Sequence, residues 1–218
     1  MFTNPIYEEL IELGLIKKEN LSLISEKTRD KEIPVFIDNK SKIILLQKYE
    51  TSTEHYEETA SGPLDDPFFK DNKYYEDDLR RFEEFKIFFK GKDLLDFGCE
   101  WGGFLRLAEN FTNLSVGVEL NKNCQTFIKD NLKKTSAYSS VIETQKKFDI
   151  ITAFHCLEHI PNQQNILEEL NRGLKPGGQL IIEVPHAKDF LIQTIDIPEL
   201  HEATRKFERE RREKFRNM

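Results

Sequence analysis

Long apolar runs are missing from this 218-residue chain. The longest solid block is Ile43-Ile44-Leu45-Leu46, far short of the ~18 residues a membrane-spanning helix requires. The opening stretch, MFTNPIYEEL, has neither a basic start nor an apolar core, which argues against a secretory signal. Cysteine is scarce. The three present, Cys99, Cys124 and Cys156, are too widely spaced for a disulfide framework or a zinc knuckle. Free thiols in a polar chain predict a reducing, cytoplasmic setting. Positive charge is in deficit, with 32 Lys and Arg against 39 Asp and Glu and a net charge of −7. That balance argues against a nucleic-acid footprint, which needs a basic face. Internal repeats and low-complexity blocks are also lacking.

What is present begins with aromatics. Seventeen Phe and 38% apolar residues predict a folded core rather than disorder. Acid is concentrated, since residues 50–84 hold twelve Asp and Glu and four Lys and Arg. This stretch reads as a solvated connection or as an acidic rim that repels anionic ligands.

Residues 1–30 read as a helix and then a turn. Ile6, Leu10, Leu13 and the Leu21-Leu23-Ile24 group keep loose helical spacing, with Gly14 as a stop. Residues 33–49 predict a hairpin around the turn chemistry of Asp38-Asn39-Lys40-Ser41. Residues 50–73, with Gly62, Pro63 and Pro67, read as a linker. Residues 74–90 predict a helix that places Leu79, Phe82, Phe85, Phe88 and Phe89 on one face and ends at Gly91. From residue 93 short apolar strands alternate with helices. The strands are 94–97, 115–120, a weak one near 137–142, 148–154 and 179–184. The helices are 103–110, 122–133 and 162–173. This alternation predicts an α/β parallel sheet with helices on both faces. A further helix is expected at 187–193, followed by a charged helical tail. The implied organisation is 1–73 as helix, hairpin and linker, 74–198 as the sheet domain, and 199–218 as the tail.

Ligands of an open parallel sheet bind beyond the carboxyl ends of its strands. After the first strand comes Asp96-Phe97-Gly98-Cys99-Glu100-Trp101-Gly102-Gly103, whose glycines allow a sharp turn and close backbone approach. The spacing fits neither the dinucleotide fingerprint nor the phosphate-binding P-loop. After the second strand, Glu119 is placed to accept hydrogen bonds from a ribose diol. Together these features predict an adenosine-type ligand. Past the strand at 148–154 lie His155, Glu158 and His159, where histidine suits general-base work at neutral pH. A backbone-bonded structural histidine is an equally good reading of His159.

The segments LLDFGCEWGGFL, GVEL, FDIITAFHCLEHIP and LKPGGQLIIEVP, in this order, resemble class I S-adenosylmethionine-dependent methyltransferases. The nearest likeness is to the ubiquinone O-methyltransferase and sugar C-methyltransferase branch, over about residues 93–185. The resemblance implies the Rossmann-like class I fold, S-adenosyl-L-methionine as cofactor and a small-molecule acceptor, while the acid excess and the short apolar runs argue against nucleic acid and membrane as partners. It assigns Asp96, Gly98, Cys99 and Gly102 to the loop around the cofactor's methionine part and ribose. Glu119 then holds the ribose hydroxyls, Leu120 packs on adenine, and Ser140, within Ser139-Ser140-Val141, falls where adenine is contacted. Phe154 and His155 match the segment beside the reactive methyl. Glu158 and His159 match an E-H pair linked to a base in one branch and to a metal in the other; no residue is assigned to a metal here. Tyr74, Tyr75 and Arg80 are expected to lid the cofactor. Arg80 or Arg81 would pair with the cofactor carboxylate, or with Glu76, Asp77, Glu83 or Glu84 on the helix surface.

Three departures from the pattern are visible. Glu100 stands where a third glycine is common, no cysteine precedes Cys99 to build a zinc module, and residues 186–218 show no sequence for the terminal antiparallel strands of the fold. A shortened sheet would expose the apolar strand 179–184, which invites a second copy or a partner to cover it. The alternative reading is a degenerate, non-catalytic cofactor-binding module that acts as a partner subunit. A nicotinamide-dependent oxidoreductase is disfavoured by the glycine spacing.

Overall fold

In the computed structural model, residues 2–28, 31–48 and 76–184 are described. They group into two units, one within the first 50 residues and one within 51–184.

The first unit is a helix and a small antiparallel sheet. Helix α1 (Pro5–Glu12) starts where Asn4 caps it by accepting the Ile6 N–H, with Pro5 in the first turn. It ends near Gly14, whose φ of +68° only glycine adopts freely. Strands β1 (Leu21–Ser25), β2 (Val35–Asp38) and β3 (Ile44–Leu46) pair in that order. The hairpin of β2 and β3 agrees with its turn chemistry. Leu21–Ser25 departs from the helical spacing expected of it, because pairing with β2 outweighs a weak local preference. The Asp38 carboxylate organises the turn. It accepts the backbone N–H groups of Ser41, Lys17 and Lys40 at 2.7, 3.0 and 2.9 Å. The Ser41 bond leads among these in lowering its pKa to about 2.

The second unit holds a five-stranded parallel sheet in the order β6-β5-β4-β7-β8. Its strands are β4 (Asp93–Phe97), β5 (Leu114–Val118), β6 (Thr135–Tyr138), β7 (Phe148–Phe154) and β8 (Leu174–Glu183). Its helices are α2 (Glu76–Phe89), α3 (Gly103–Ala108), α4 (Lys122–Asn131) and α5 (Gln163–Gly173). Successive strand residues face opposite sides, and both sides are covered. Leu94, Ile150 and Phe154 pack with Phe82 and Phe89 of α2, Phe104 and Leu105 of α3, and Ile128 of α4. Leu95, Ile151 and Ala153 pack on the other side with Leu157 and with Leu170 of α5. On α2, Phe82 and Phe89 are buried as the spacing predicts, whereas Leu79 and Phe88 are each 41% exposed. Arg80 and Arg81 turn α2 into a polar link as well as an apolar one.

The alternation of strands and helices follows the sequence, with ends shifted by a few residues. The last strand begins earlier than expected, at Leu174, and carries Pro176-Gly177-Gly178 inside it as an irregularity in its pairing with β7. Among the described residues β8 ends the sheet, with Ile182 and Val184 exposed. The expected linker, Tyr74 and Tyr75, the helix at 187–193, the tail, and the stretch 186–218 expected to lack the terminal strands lie outside the described residues.

The Asp38 turn makes a testable prediction. Its folded pKa is depressed, so its contribution is present above the ordinary carboxyl value of 3.8 and is lost as pH falls toward about 2. Amide hydrogen exchange across β2 and β3 should therefore show protection falling over that window. The Asp38→Asn variant should start less protected and show a smaller acid-dependent loss.

Candidate active site

The carboxyl ends of all five strands lie along one edge of the sheet. Gly98 leaves β4 with φ +73° and Gly102 precedes α3 with φ +75°, so the loop needs glycine at both points. A Cβ on Gly98 would also sit 2.4 Å from Cys156 Sγ. The N–H groups of Gly98 and Cys99 both donate to the Val118 carbonyl, which ties the loop to β5. The Cys99 side chain turns into the core beside Phe104 and Leu105, so only its backbone faces the loop. Glu100 adopts φ +49°, a left-handed conformation that a third glycine would hold without strain.

Glu119 grips this loop from the end of β5. Its Oε2 accepts the Glu100 N–H at 3.0 Å, and its Oε1 accepts the Asn121 N–H at 3.0 Å. Leu120 beside it is 40% exposed. Past β6, the Ser140 hydroxyl accepts the Glu143 N–H in a local turn, and the Ser139 N–H donates to the Glu143 carboxylate. Asp96 lies buried one residue before the end of β4, paired with Thr152 of β7, whose hydroxyl donates to its Oδ1 at 2.7 Å.

Carboxyls are crowded here. Burial pushes Asp96 up to about 7 against the Thr152 hydrogen bond, with the Asp78 charge adding to the rise. Burial likewise raises Asp78 to about 6, opposed by Arg81. Glu100 is raised by desolvation and by the charge of Glu119. Burial pushes the Cys156 thiol up to about 12, so it is no nucleophile at neutral pH.

A second polar group sits at the ends of β7 and β8. Phe154 is buried under the Arg81 guanidinium, 5.0 Å from ring centre to carbon. His155 follows with φ +50°. Its Nε2 lies 3.1 Å from Glu183 Oε1, its Nδ1 3.5 Å from Glu158 Oε1, and its backbone N–H donates to the Glu183 carbonyl. His159 Nε2 is 3.8 Å from Glu158. The Glu158 oxygens are buried and have no hydrogen-bond partner among the described residues. Arg80 donates to both oxygens of Glu183 at 2.8 and 2.7 Å, and Arg81 donates to Oε1 through Nε and Nη2 at 3.0 and 2.8 Å. Burial alone would raise Glu183, but the Arg80 and Arg81 bonds outweigh it and hold the carboxyl below its ordinary range.

The structure thus gathers the predicted residues into two neighbouring sets, the Asp96–Glu119 loop and the His155–Glu158 turn. Sequence reasoning missed Glu183 and Asp78. Glu183 is a lone acid closing an apolar strand, the same signal that singled out Glu119. Arg80 pairs with Asp77 and Glu84 on its own helix, as expected, but its shortest contact is with Glu183. Among the described residues no group of three His, Cys, Asp or Glu is arranged to hold a metal ion, and no helix is long and apolar enough to cross a membrane.

Comparison with known proteins identifies the class. The family described as "Methyltransferase domain" matches residues 69–217, more than half of the sequence. The chain belongs to this family, as a class I S-adenosylmethionine-dependent methyltransferase domain. It is 28% identical over 194 residues to a tRNA U34 carboxymethyltransferase of Nautilia profundicola, covering 82% of this chain and 62% of that one. It is 32% identical over 98 residues to a ubiquinone biosynthesis O-methyltransferase of Shewanella pealeana, covering 40% and 41%. A phosphoethanolamine N-methyltransferase of Caenorhabditis elegans is 27% identical over 118 residues, covering 50% and 27%. The chain therefore spans less than two thirds of the length of these relatives. Among solved structures, an amino pentose methyltransferase of Micromonospora echinaspora aligns with a TM-score of 0.46 at 16% identity, covering 59% of each chain.

The donor set fits the cofactor of this class. Two carboxyls, Asp96 and Glu119, suit an ammonium group and a ribose diol, and exposed Leu120 offers an apolar surface beside them. Two predictions follow from the crowding and the strain. The unfolded Asp96 carboxyl titrates near 3.8 and the folded one near 7, so the folded state binds the extra proton between those values. Stability should fall as pH rises through that window, with Asp78 adding the same sign up to about 6. In thermal melts Asp96→Asn should flatten this fall and melt above wild type at the alkaline end. Glu100→Gly should raise stability by roughly 0.5–1 kcal/mol in urea unfolding, the relief of strain exceeding the added freedom of the unfolded chain.

Proposed function

We propose that this protein transfers a methyl group from S-adenosyl-L-methionine to a small-molecule acceptor. The observation that carries this reading is Glu119, fixed at the end of β5 by the Glu100 and Asn121 N–H groups beside the glycine loop. In this reading Asp96, Gly98, the Cys99 backbone and Gly102 hold the amino-acid end and ribose of the cofactor. Glu119 takes the ribose hydroxyls, and Leu120 and Ser140 border the adenine. The cofactor supplies an electrophilic methyl on a sulfonium. The chain's own work is positioning, which can contribute roughly 7–11 kcal/mol to lowering a barrier. Phe154 walls the reacting end, and His155, with Glu158 and His159, receives the acceptor's proton where the acceptor is a hydroxyl or a carbon acid. The domain boundaries we adopt for this function are 74–198, with residues 199–218 as a tail.

The relatives include a ubiquinone biosynthesis O-methyltransferase and a tRNA U34 carboxymethyltransferase, so an acceptor screen should include both small molecules and tRNA. The alternative, a cofactor-binding subunit without catalysis, is motivated by Glu100 in the loop. Calorimetry with S-adenosylmethionine and S-adenosylhomocysteine separates the readings. Wild type should bind with micromolar affinity. Asp96→Ala and Glu119→Ala should each weaken binding at least tenfold, which corresponds to about 1.4 kcal/mol. Absence of binding by folded wild type would overturn the proposal.

A further inference from the structure

We propose that Glu183 is the positioning residue for His155: it holds the imidazole through Nε2–H and leaves the Nδ1 lone pair as the proton acceptor. This rests on the methyltransferase reading and on His155 as the base within it.

Three observations carry the assignment. First, Glu183 holds His155 twice. Its side-chain Oε1 lies 3.1 Å from Nε2, and its carbonyl accepts the His155 N–H at 2.8 Å. Both contacts join the end of β8 to the residue that leaves β7. Second, the Glu183 carboxylate is itself fixed. Arg80 takes both oxygens and Arg81 takes Oε1, so the group that orients the ring has little freedom to rotate away. Third, His155 sits at φ +50°, a conformation a non-glycine residue keeps only where its surroundings impose it. The main-chain bond to Glu183 is such an imposition.

The chemistry follows from the ring's two nitrogens. A neutral imidazole carries one proton, and a carboxylate only accepts, so Glu183 selects the tautomer with hydrogen on Nε2. Nδ1 then bears the lone pair. Its nearest carboxylate oxygen, Glu158 Oε1, is 3.5 Å away and brings no proton of its own when ionised. When an acceptor's heteroatom–hydrogen bond breaks, its proton passes to Nδ1 and the bonding pair stays on the acceptor as the nucleophile. The ring becomes an imidazolium with Nε2 beside Glu183 at 3.1 Å and Nδ1 beside Glu158 at 3.5 Å. Glu158, whose oxygens have no hydrogen-bond partner among the described residues, is the carboxylate beside that new N–H.

The test is the tautomer of His155, read by nitrogen-15 NMR of labelled protein along a pH titration, with the assignment fixed by His155→Gln. In wild type the neutral ring should be mainly the Nε2–H form. Glu183→Gln keeps an oxygen that can accept and should retain that form. Glu183→Ala should lower the Nε2–H fraction to the smaller excess that a free neutral histidine shows in water. A neutral wild-type ring protonated at Nδ1 would overturn the assignment, and so would an unchanged preference in Glu183→Ala. Where Glu183→Ala fails to fold, a wild-type Nε2–H fraction no greater than that of a free histidine overturns the assignment. Wild-type calorimetry with S-adenosylhomocysteine tests the underlying reading separately. Binding without the Nε2–H form overturns this proposal alone, and the Nε2–H form without binding overturns the methyltransferase reading alone.

Discussion

Burial of the β4–β7 pair on both faces is the constraint on which the rest depends. Leu94 and Leu95 are neighbours on one strand, face opposite sides and are both fully buried, as are Ile150 and Ile151 on the other. A strand in that position needs helices above and below, which fixes where α2, α3 and α4 lie and where α5 lies. It also brings the chain out of the sheet at one edge, where loop geometry rather than packing is selected. Asp96 marks the boundary. It belongs to the buried pair through Thr152, yet it is one residue from the loop.

That boundary shows a tension between folding and binding. Asp96, Asp78 and Glu100 all have raised carboxyl pKa values, each with burial or desolvation as the leading cause. The fold gains nothing from crowding acids it must desolvate. On the proposed function, a cationic ligand with several hydroxyls would offset that desolvation. Of the five described non-glycine residues with left-handed backbone, Glu100 and His155 lie at the carboxyl strand ends, and Lys42, Gln145 and Asn162 lie elsewhere.

The sheet was legible in the sequence because its signals are local. Apolar runs of strand length, glycine after the first of them and Pro-Gly-Gly before the last are each contained within a few residues. The acid-bearing strand ends could be read for the same reason. The errors and omissions have a different origin. Leu21–Ser25 becomes a strand through a partner that begins beyond the segment, at Val35, which no spacing rule within the segment records. Arg80 had four acidic candidates on its own helix, and its shortest contact is with an acid 103 positions later. His155, Glu158 and His159 were seen as a group, but the order of contacts around the imidazole depends on a turn of only three residues, Leu157–His159. Such geometry is set by tertiary contacts and leaves little trace in composition or period.

The arginine pair that holds Glu183 spans almost the whole second unit, from its first described helix to its last described strand. Closing so long a stretch of chain carries an entropic cost that grows slowly with length and must be met before the contact can form. Local hairpins and single helix turns can assemble without it. Glu183 closes β8, so undocking β8 from β7 would take the carboxylate from the imidazole and from both guanidinium partners at once. A partly unfolded molecule with β8 undocked would therefore carry the histidine without that carboxylate beside it.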